Sequence, residues 1–122
     1  PTSFKFAGVI SMAGALTSVE NITTETAIPT QLFHGTEDQL VPYDRAPHHY
    51  CNTNDAGYLQ LYGSKAIADK LKKISASYYL YTIDEGDHSW ASRPMFQCTQ
   101  EIVDFLYYDV LHRNHRSIET TL

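Results

Sequence analysis

Cysteine is scarce in this chain. Only Cys51 and Cys98 are present, too few for a disulfide framework but enough for one bridge. Long apolar runs are missing as well, and none approaches the roughly 18 residues of a membrane-spanning helix. Positive charge is in deficit, with nine Lys and Arg against fourteen Asp and Glu and a net charge of −5. Nucleic-acid binding needs a basic patch on the phosphates, so that class of partner is excluded. A starting Met is lacking too: Pro1 stands first, and neither a basic n-region nor an apolar h-region follows it. The expectation is a chain that is processed, trimmed or part of something longer.

What is present describes an ordinary globular protein. The 122 residues are 43% hydrophobic and 19% charged, a balance that folds rather than stays disordered. One domain is expected over residues 1–122. A chain of this size buries most of its apolar surface without a disulfide lattice or a metal.

Three β-like runs alternate with helix-like runs, the pattern of an α/β layered domain with a largely parallel sheet. Phe4 to Ser11 is the first run, nearly continuously apolar in its second half, as a strand buried on both faces requires. Thr17 to Thr26 is polar and reads as a surface segment with room for one helical turn. Gln31 to His34 is the second strand, stopped by Gly35. The stretch Thr36 to Tyr62, with Pro42, Pro47 and Gly57, is too long for a plain connector and is expected to be functional or locally helical. Ser64 reads as an N-cap, and Ile67, Leu71 and Ile74 form one face of an amphipathic helix of about three turns. Tyr78 to Ile83, aromatic and β-branched, is the third strand. A last helix starts near Pro94 or Thr99, runs to Leu111, and carries a stripe of Ile102, Phe105, Leu106 and Val110. The polar tail His112 to Leu122 is expected to fray.

Two segments carry chemistry. His34-Gly35-Thr36-Glu37-Asp38-Gln39-Leu40-Val41-Pro42 follows the second strand, and Glu85-Gly86-Asp87-His88-Ser89-Trp90 follows the third. In open α/β sheets the carboxyl ends of the strands are where catalytic groups collect. An acid after one strand and a His after the next is the acid–base half of a nucleophilic triad. The imidazole removes a proton from a weak nucleophile and returns it to the leaving group. The carboxylate fixes the imidazole tautomer and stabilises the imidazolium.

With these two segments in this order, the chain resembles the C-terminal part of an α/β-hydrolase of the esterase/lipase type. The pattern His-Gly-x-x-Asp-x-x-Val-Pro matches residues 34–42 at every fixed position, and Gly-x-His matches Gly86-Asp87-His88. Phe6 to Ala15 resembles the strand after the nucleophile helix, and Ser64 to Lys73 the helix before the last strand. The resemblance implies a partial α/β-hydrolase fold of about three mainly parallel strands with flanking helices. It implies Asp38 as catalytic acid, His88 as base, and hydrolysis of a carboxylic ester with no cofactor and no metal. The family orders its triad Ser, acid, His, with the Ser in a Gly-x-Ser-x-Gly elbow. No such pentapeptide occurs here, so the Ser and the oxyanion-hole loop are expected before residue 1. Ser11 is a poor stand-in, because Val9, two residues earlier, is β-branched where the strained elbow wants a small residue.

Alternatives stand beside this reading. One is a serine peptidase of the prolyl-oligopeptidase type, which carries similar acid and His motifs. The other is an inactive fragment or interaction module. Glu37 and Asp87 are runner-up acids, and His34 is expected to pack or bond locally. His48 and His49 lack the second ligand pair of a closed zinc site, and His112 with His115 suits a helix end. Cys51 and Cys98 either pair, which would lean the protein toward an oxidising, secreted setting, or stay free. Asn21-Ile22-Thr23 is a glycosylation sequon. Tyr43, Tyr50, Tyr58, Tyr62 and Trp90 either line a substrate pocket or pack. Without the neighbouring nucleophile strand, residues 4–11 would present an apolar edge that invites self-association or a complementing N-terminal half.

Overall fold

Alternation along two strands organises the molecule. The computed structural model describes residues 3–122; Pro1 lies outside them. The six residues Tyr78–Ile83 form a strand, β5, with Tyr78 and Leu80 buried on one face and Tyr79, Tyr81 and Ile83 on the other. Its neighbour β2, Thr30–Gly35, is buried along its whole length, with Leu32 on the first face and Phe33 on the second. Both faces are covered because the sheet is parallel, and a parallel sheet is closed over by its crossover elements.

The element order is β1 (Val9–Met12), β2, β3 (Arg45–Pro47), β4 (Gln60–Tyr62), α1 (Ser64–Lys73), β5, α2 (Pro94–Gln97), α3 (Thr99–Phe105) and β6 (Ser117–Thr121), with short 3₁₀ turns at His48–Tyr50 and His88–Ala91. β1, β2, β5 and β6 make one four-stranded sheet in that order, and every pairing in it is parallel. The α/β class with a mostly parallel sheet and flanking helices is thus observed. β3 and β4 form a separate antiparallel hairpin.

α1 covers one face, setting Ile67, Ala68 and Leu71 against Leu32, Tyr78 and Leu80. α3 covers the other, where Phe105 joins Phe33, Tyr79, Tyr81, Ile83, Trp90 and Cys98. Phe105 is fully buried, and burying such a ring is worth about 1.5–3 kcal/mol.

Three expectations need correction. The sheet has four strands rather than three, because the polar tail does not fray. Ser117–Thr121 adds to the edge of β5, held by backbone hydrogen bonds, while its side chains stay largely in water. Arg116 anchors it: its Nε donates to Asp109 at 2.6 Å and its Nη2 to Asp104 at 3.1 Å.

The first strand is shorter than residues 4–11. Its register starts at Val9 opposite Thr30, and the residue before Thr30 is Pro29, which has no N–H to continue a ladder. Phe4 and Phe6 are exposed. The long segment Thr36–Tyr62 is locally helical in one 3₁₀ turn, as expected, and adds the β3–β4 hairpin around it.

In the last helix Leu106 is exposed, whereas Ile102, Phe105 and Val110 reach the core. The chain turns from α-helix to π-helix over Leu106–Leu111, and the wider turn rotates Leu106 outward while bringing Val110 round.

Candidate active site

The site lies where β2 and β5 end side by side. Their register pairs Gly35 with Ile83, and three hydrogen bonds then tie the two following loops together. Thr36 N–H donates to the Ile83 carbonyl at 3.0 Å, Glu37 N–H to the Gly86 carbonyl at 2.9 Å, and Glu85 N–H to Thr36 Oγ1 at 2.9 Å. Gly35 permits this approach, since a Cβ there would stand 2.1 Å from the Gly86 carbonyl oxygen. Glu85 takes a left-handed φ of 57° to close the turn after β5.

Asp38 sits in the first of these loops and is fully buried. Its Oδ1 accepts the backbone N–H groups of Leu40 and Val41, both at 2.9 Å. This turn is the bland role open to any Asp in a loop, and it uses one oxygen only. The other, Oδ2, accepts from Nδ1 of His88 at 2.8 Å. Fifty residues of sequence separation close to one short charge-assisted contact.

His88 opens the 3₁₀ turn after β5, and its side chain is 35% exposed. Nδ1 donates to a carboxylate, so in the neutral imidazole Nε2 carries the lone pair. Nε2 makes no hydrogen bond among the described residues. A carboxylate on one ring nitrogen and an available lone pair on the other is the arrangement a general base requires.

The runner-up acids sit elsewhere. Glu37 is exposed. Asp87 is exposed and occupied by Ser89, whose N–H donates to Oδ1 at 2.9 Å; the Ser89 bonds hold its carboxyl below the ordinary range.

A second histidine reaches the same carboxylate, as sequence reasoning did not foresee. His34 is fully buried near the end of β2. Its Nε2 lies 3.0 Å from the Val41 carbonyl and 3.4 Å from Asp38 Oδ2, and its Nδ1 lies 2.8 Å from Ser64 Oγ. A carbonyl can only accept, so Nε2 bears the proton and Nδ1 accepts from the Ser64 hydroxyl. Burial pushes the His34 imidazole below its ordinary value, against the opposing pull of the Val41 carbonyl and Asp38. Ser64 therefore does not cap α1 with its side chain; the cap position is Gly63, and Ser64 is the first helical residue with its hydroxyl turned inward. Ser64, His34 and Asp38 make a serine–histidine–aspartate chain, but all three are fully buried. The Ser64 hydroxyl is thus covered and spent on His34 Nδ1.

Trp90 is a core residue beside Phe33, Ile83 and Phe105. Tyr43 packs edge-on against His34 and bonds Thr82 Oγ1 at 2.7 Å. Tyr62 lies under the Arg45 guanidinium, while Tyr50 and Tyr58 are exposed. Tyr43 and Tyr62 thus pack, whereas Tyr50 and Tyr58 face water. His48 and His49 stack on each other, and His115 bonds the Ser75 carbonyl. Cys51 and Cys98 are unpaired. No group of three or more His, Cys, Asp or Glu among the described residues is placed to hold a metal ion, and no helix among them is long and apolar enough to cross a membrane.

Comparison with protein-family models, with curated proteins and with solved structures gave no match.

Proposed function

We propose that Asp38 and His88 are the acid and base of a serine hydrolase acting on carboxylic esters. The observation that carries this reading is the 2.8 Å bond from His88 Nδ1 to a buried carboxylate, at the carboxyl ends of adjacent parallel strands. In the proposed cycle His88 Nε2 takes the proton of a serine hydroxyl as its oxygen attacks the ester carbonyl. The same proton passes to the departing alcohol, leaving an acyl-enzyme. Water then attacks, gives its proton to Nε2, and the acid leaves as the serine recovers its hydrogen. Asp38 keeps Nδ1 protonated throughout and stabilises the imidazolium.

The serine comes from outside residues 1–122 in this reading, on a strand that extends the sheet at β1. Two features support that placement. β1 is an edge strand, and beside it lies an open groove of about 350 Å³ lined by Val9, Leu16, Ile22, Ala27, Leu32 and Leu71 among others. Neither Asp38 nor His88 lines this groove. It fits a packing partner for the sheet better than a substrate.

A fluorophosphonate probe, which marks activated serines, tests the reading on the product of the complete reading frame that contains these residues. Labelling that disappears in His88→Ala is the expected result. Labelling of equal extent in wild type and variant would sink the proposal.

A further inference from the structure

We propose that His34, oriented by Ser64, is a positioning residue for the Asp38–His88 pair. The inference rests on the hydrolase reading for its purpose but on separate contacts for its content.

His34 touches the acid loop at two points. Its Nε2–H donates to the Val41 carbonyl at 3.0 Å, and Nε2 also lies 3.4 Å from Asp38 Oδ2. Val41 in turn donates its N–H to Asp38 Oδ1. The loop over residues 38–41 is therefore held at both backbone groups of Val41, with the His34 ring as the bracket. The ring also sets its Nε2 edge 3.4 Å from Oδ2, the oxygen that accepts from His88.

The bracket works in one tautomer only. With the proton on Nδ1, the Val41 carbonyl and Oδ2 would both face a lone pair. Ser64 prevents this: its hydroxyl, 2.8 Å away, donates to Nδ1, its backbone N–H approaches the same nitrogen at 3.4 Å, and the hydroxyl as the closer donor does most to keep the proton on Nε2. Ser64 is brought there by α1, which is itself seated on β2 and β5 through Ile67, Ala68 and Leu71. Orientation of the acid thus depends on helix seating. The Tyr43 ring, edge-on at 5.8 Å, closes the remaining side of His34. Neither His34 nor Ser64 is exposed, so neither meets substrate and both act through Asp38.

The test uses the ¹⁵N-labelled 122-residue chain. Long-range ¹⁵N–¹H correlations report which ring nitrogens carry protons, and the low-field proton of His88 Nδ1 reports its bond to Asp38. Wild type is expected to show His34 as the Nε2–H tautomer and a slowly exchanging His88 Nδ1 proton. Ser64→Ala is expected to keep the backbone amide spectrum of the folded chain while the His88 proton is lost to exchange broadening. Ser64→Thr, which restores the hydroxyl, is expected to regain it. His34→Gln, whose amide can still donate to Val41, is expected to fall between.

A structural role alone would lower the thermal midpoint in Ser64→Ala and leave the His88 proton untouched; that result overturns the proposal. So does a wild-type His34 protonated on Nδ1. If Ser64→Ala does not fold, the wild-type tautomer and the His34→Gln spectrum decide. None of these readouts uses ester turnover. A failure of the hydrolase reading would appear as unaltered probe labelling in His88→Ala, separately from them.

Discussion

Replacing Asp38 with Asn isolates what the carboxylate does. The two side chains have the same shape, so the amide oxygen can still accept from Leu40 and Val41 N–H at 2.9 Å. The amide nitrogen then occupies the place of Oδ2. It faces two N–H donors, His88 Nδ1 at 2.8 Å and His34 Nε2 at 3.4 Å. His34 cannot yield, because Val41 holds its Nε2 proton and Ser64 fills its Nδ1. His88 is partly exposed and can yield: it moves its proton to Nε2 and accepts the amide on Nδ1. A hydrogen bond between neutral groups is worth about 0.5–1.5 kcal/mol. At about 1.4 kcal/mol per factor of ten, the switched tautomer should be favoured by roughly two- to tenfold. A base with its proton on the wrong nitrogen loses roughly 10⁴ in kcat where such a change has been characterised in serine hydrolases. The tautomer itself can be read by ¹⁵N–¹H correlation in the 122-residue chain under conditions where the ring signals show a neutral imidazole. Wild type should show Nδ1–H and Asp38→Asn should show Nε2–H. A His88 that stays protonated on Nδ1 in the variant would refute the claim that Asp38 sets its state.

Three further outcomes follow from the packing. Gly35→Ala should cost more than the ~1–3 kcal/mol of ordinary overpacking, because the new Cβ meets the Gly86 carbonyl oxygen at 2.1 Å; an unchanged urea midpoint would show that the two loops are not in contact. Stability should fall with acidity: His34 is held below its ordinary value by burial, so the unfolded chain binds a proton that the folded chain refuses. That loss begins near the unfolded value of ~6.5, proceeds as the pH drops toward the lower folded value with a slope of at most ~1.4 kcal/mol per unit, and then levels off. Thermal midpoints for wild type and His34→Gln should diverge in this window, and parallel curves would count against it. Finally, the unpaired edge of β1 should make the isolated chain self-associate with rising concentration. Val9→Lys, placing charge on an exposed edge position, should suppress this, whereas a monodisperse wild-type monomer by light scattering would be incompatible with it.

The parts of the fold visible in the sequence are those whose periodicity is strong. Tyr78–Ile83 is found as a strand over its full expected length. The helix from Ser64 shows its face in Ile67 and Leu71, both buried. The juxtaposition of Asp38 and His88 was legible because strand ends in a parallel sheet point the same way, so two motifs placed after neighbouring strands converge.

What escaped the sequence has physical causes. β6 is polar because an edge strand is bound through its backbone, and its only legible signals are Ile118 and the β-branched pair Thr120 and Thr121. The early end of the β1 ladder is a property of Pro29, just before the partner strand, not of residues 4–8 themselves. The outward turn of Leu106 depends on a π-turn that α-helical spacing does not encode. His34 and Ser64 stand thirty residues apart, and neither carries a motif that announces the other. Their contact follows from α1 packing beside β2, a tertiary fact that a Ser at a helix start, read locally, represents as a cap.

The central claim concerns the pair acting in ester hydrolysis. It is tested most directly by p-nitrophenyl ester turnover in the product of the complete reading frame, measured as kcat and KM for wild type, Asp38→Asn and His88→Ala. The account predicts wild-type turnover, a kcat loss of roughly 10³–10⁴ in each variant, and KM nearly unchanged, since both residues act in the transition state rather than in binding. Turnover that survives both substitutions within a few fold would contradict it.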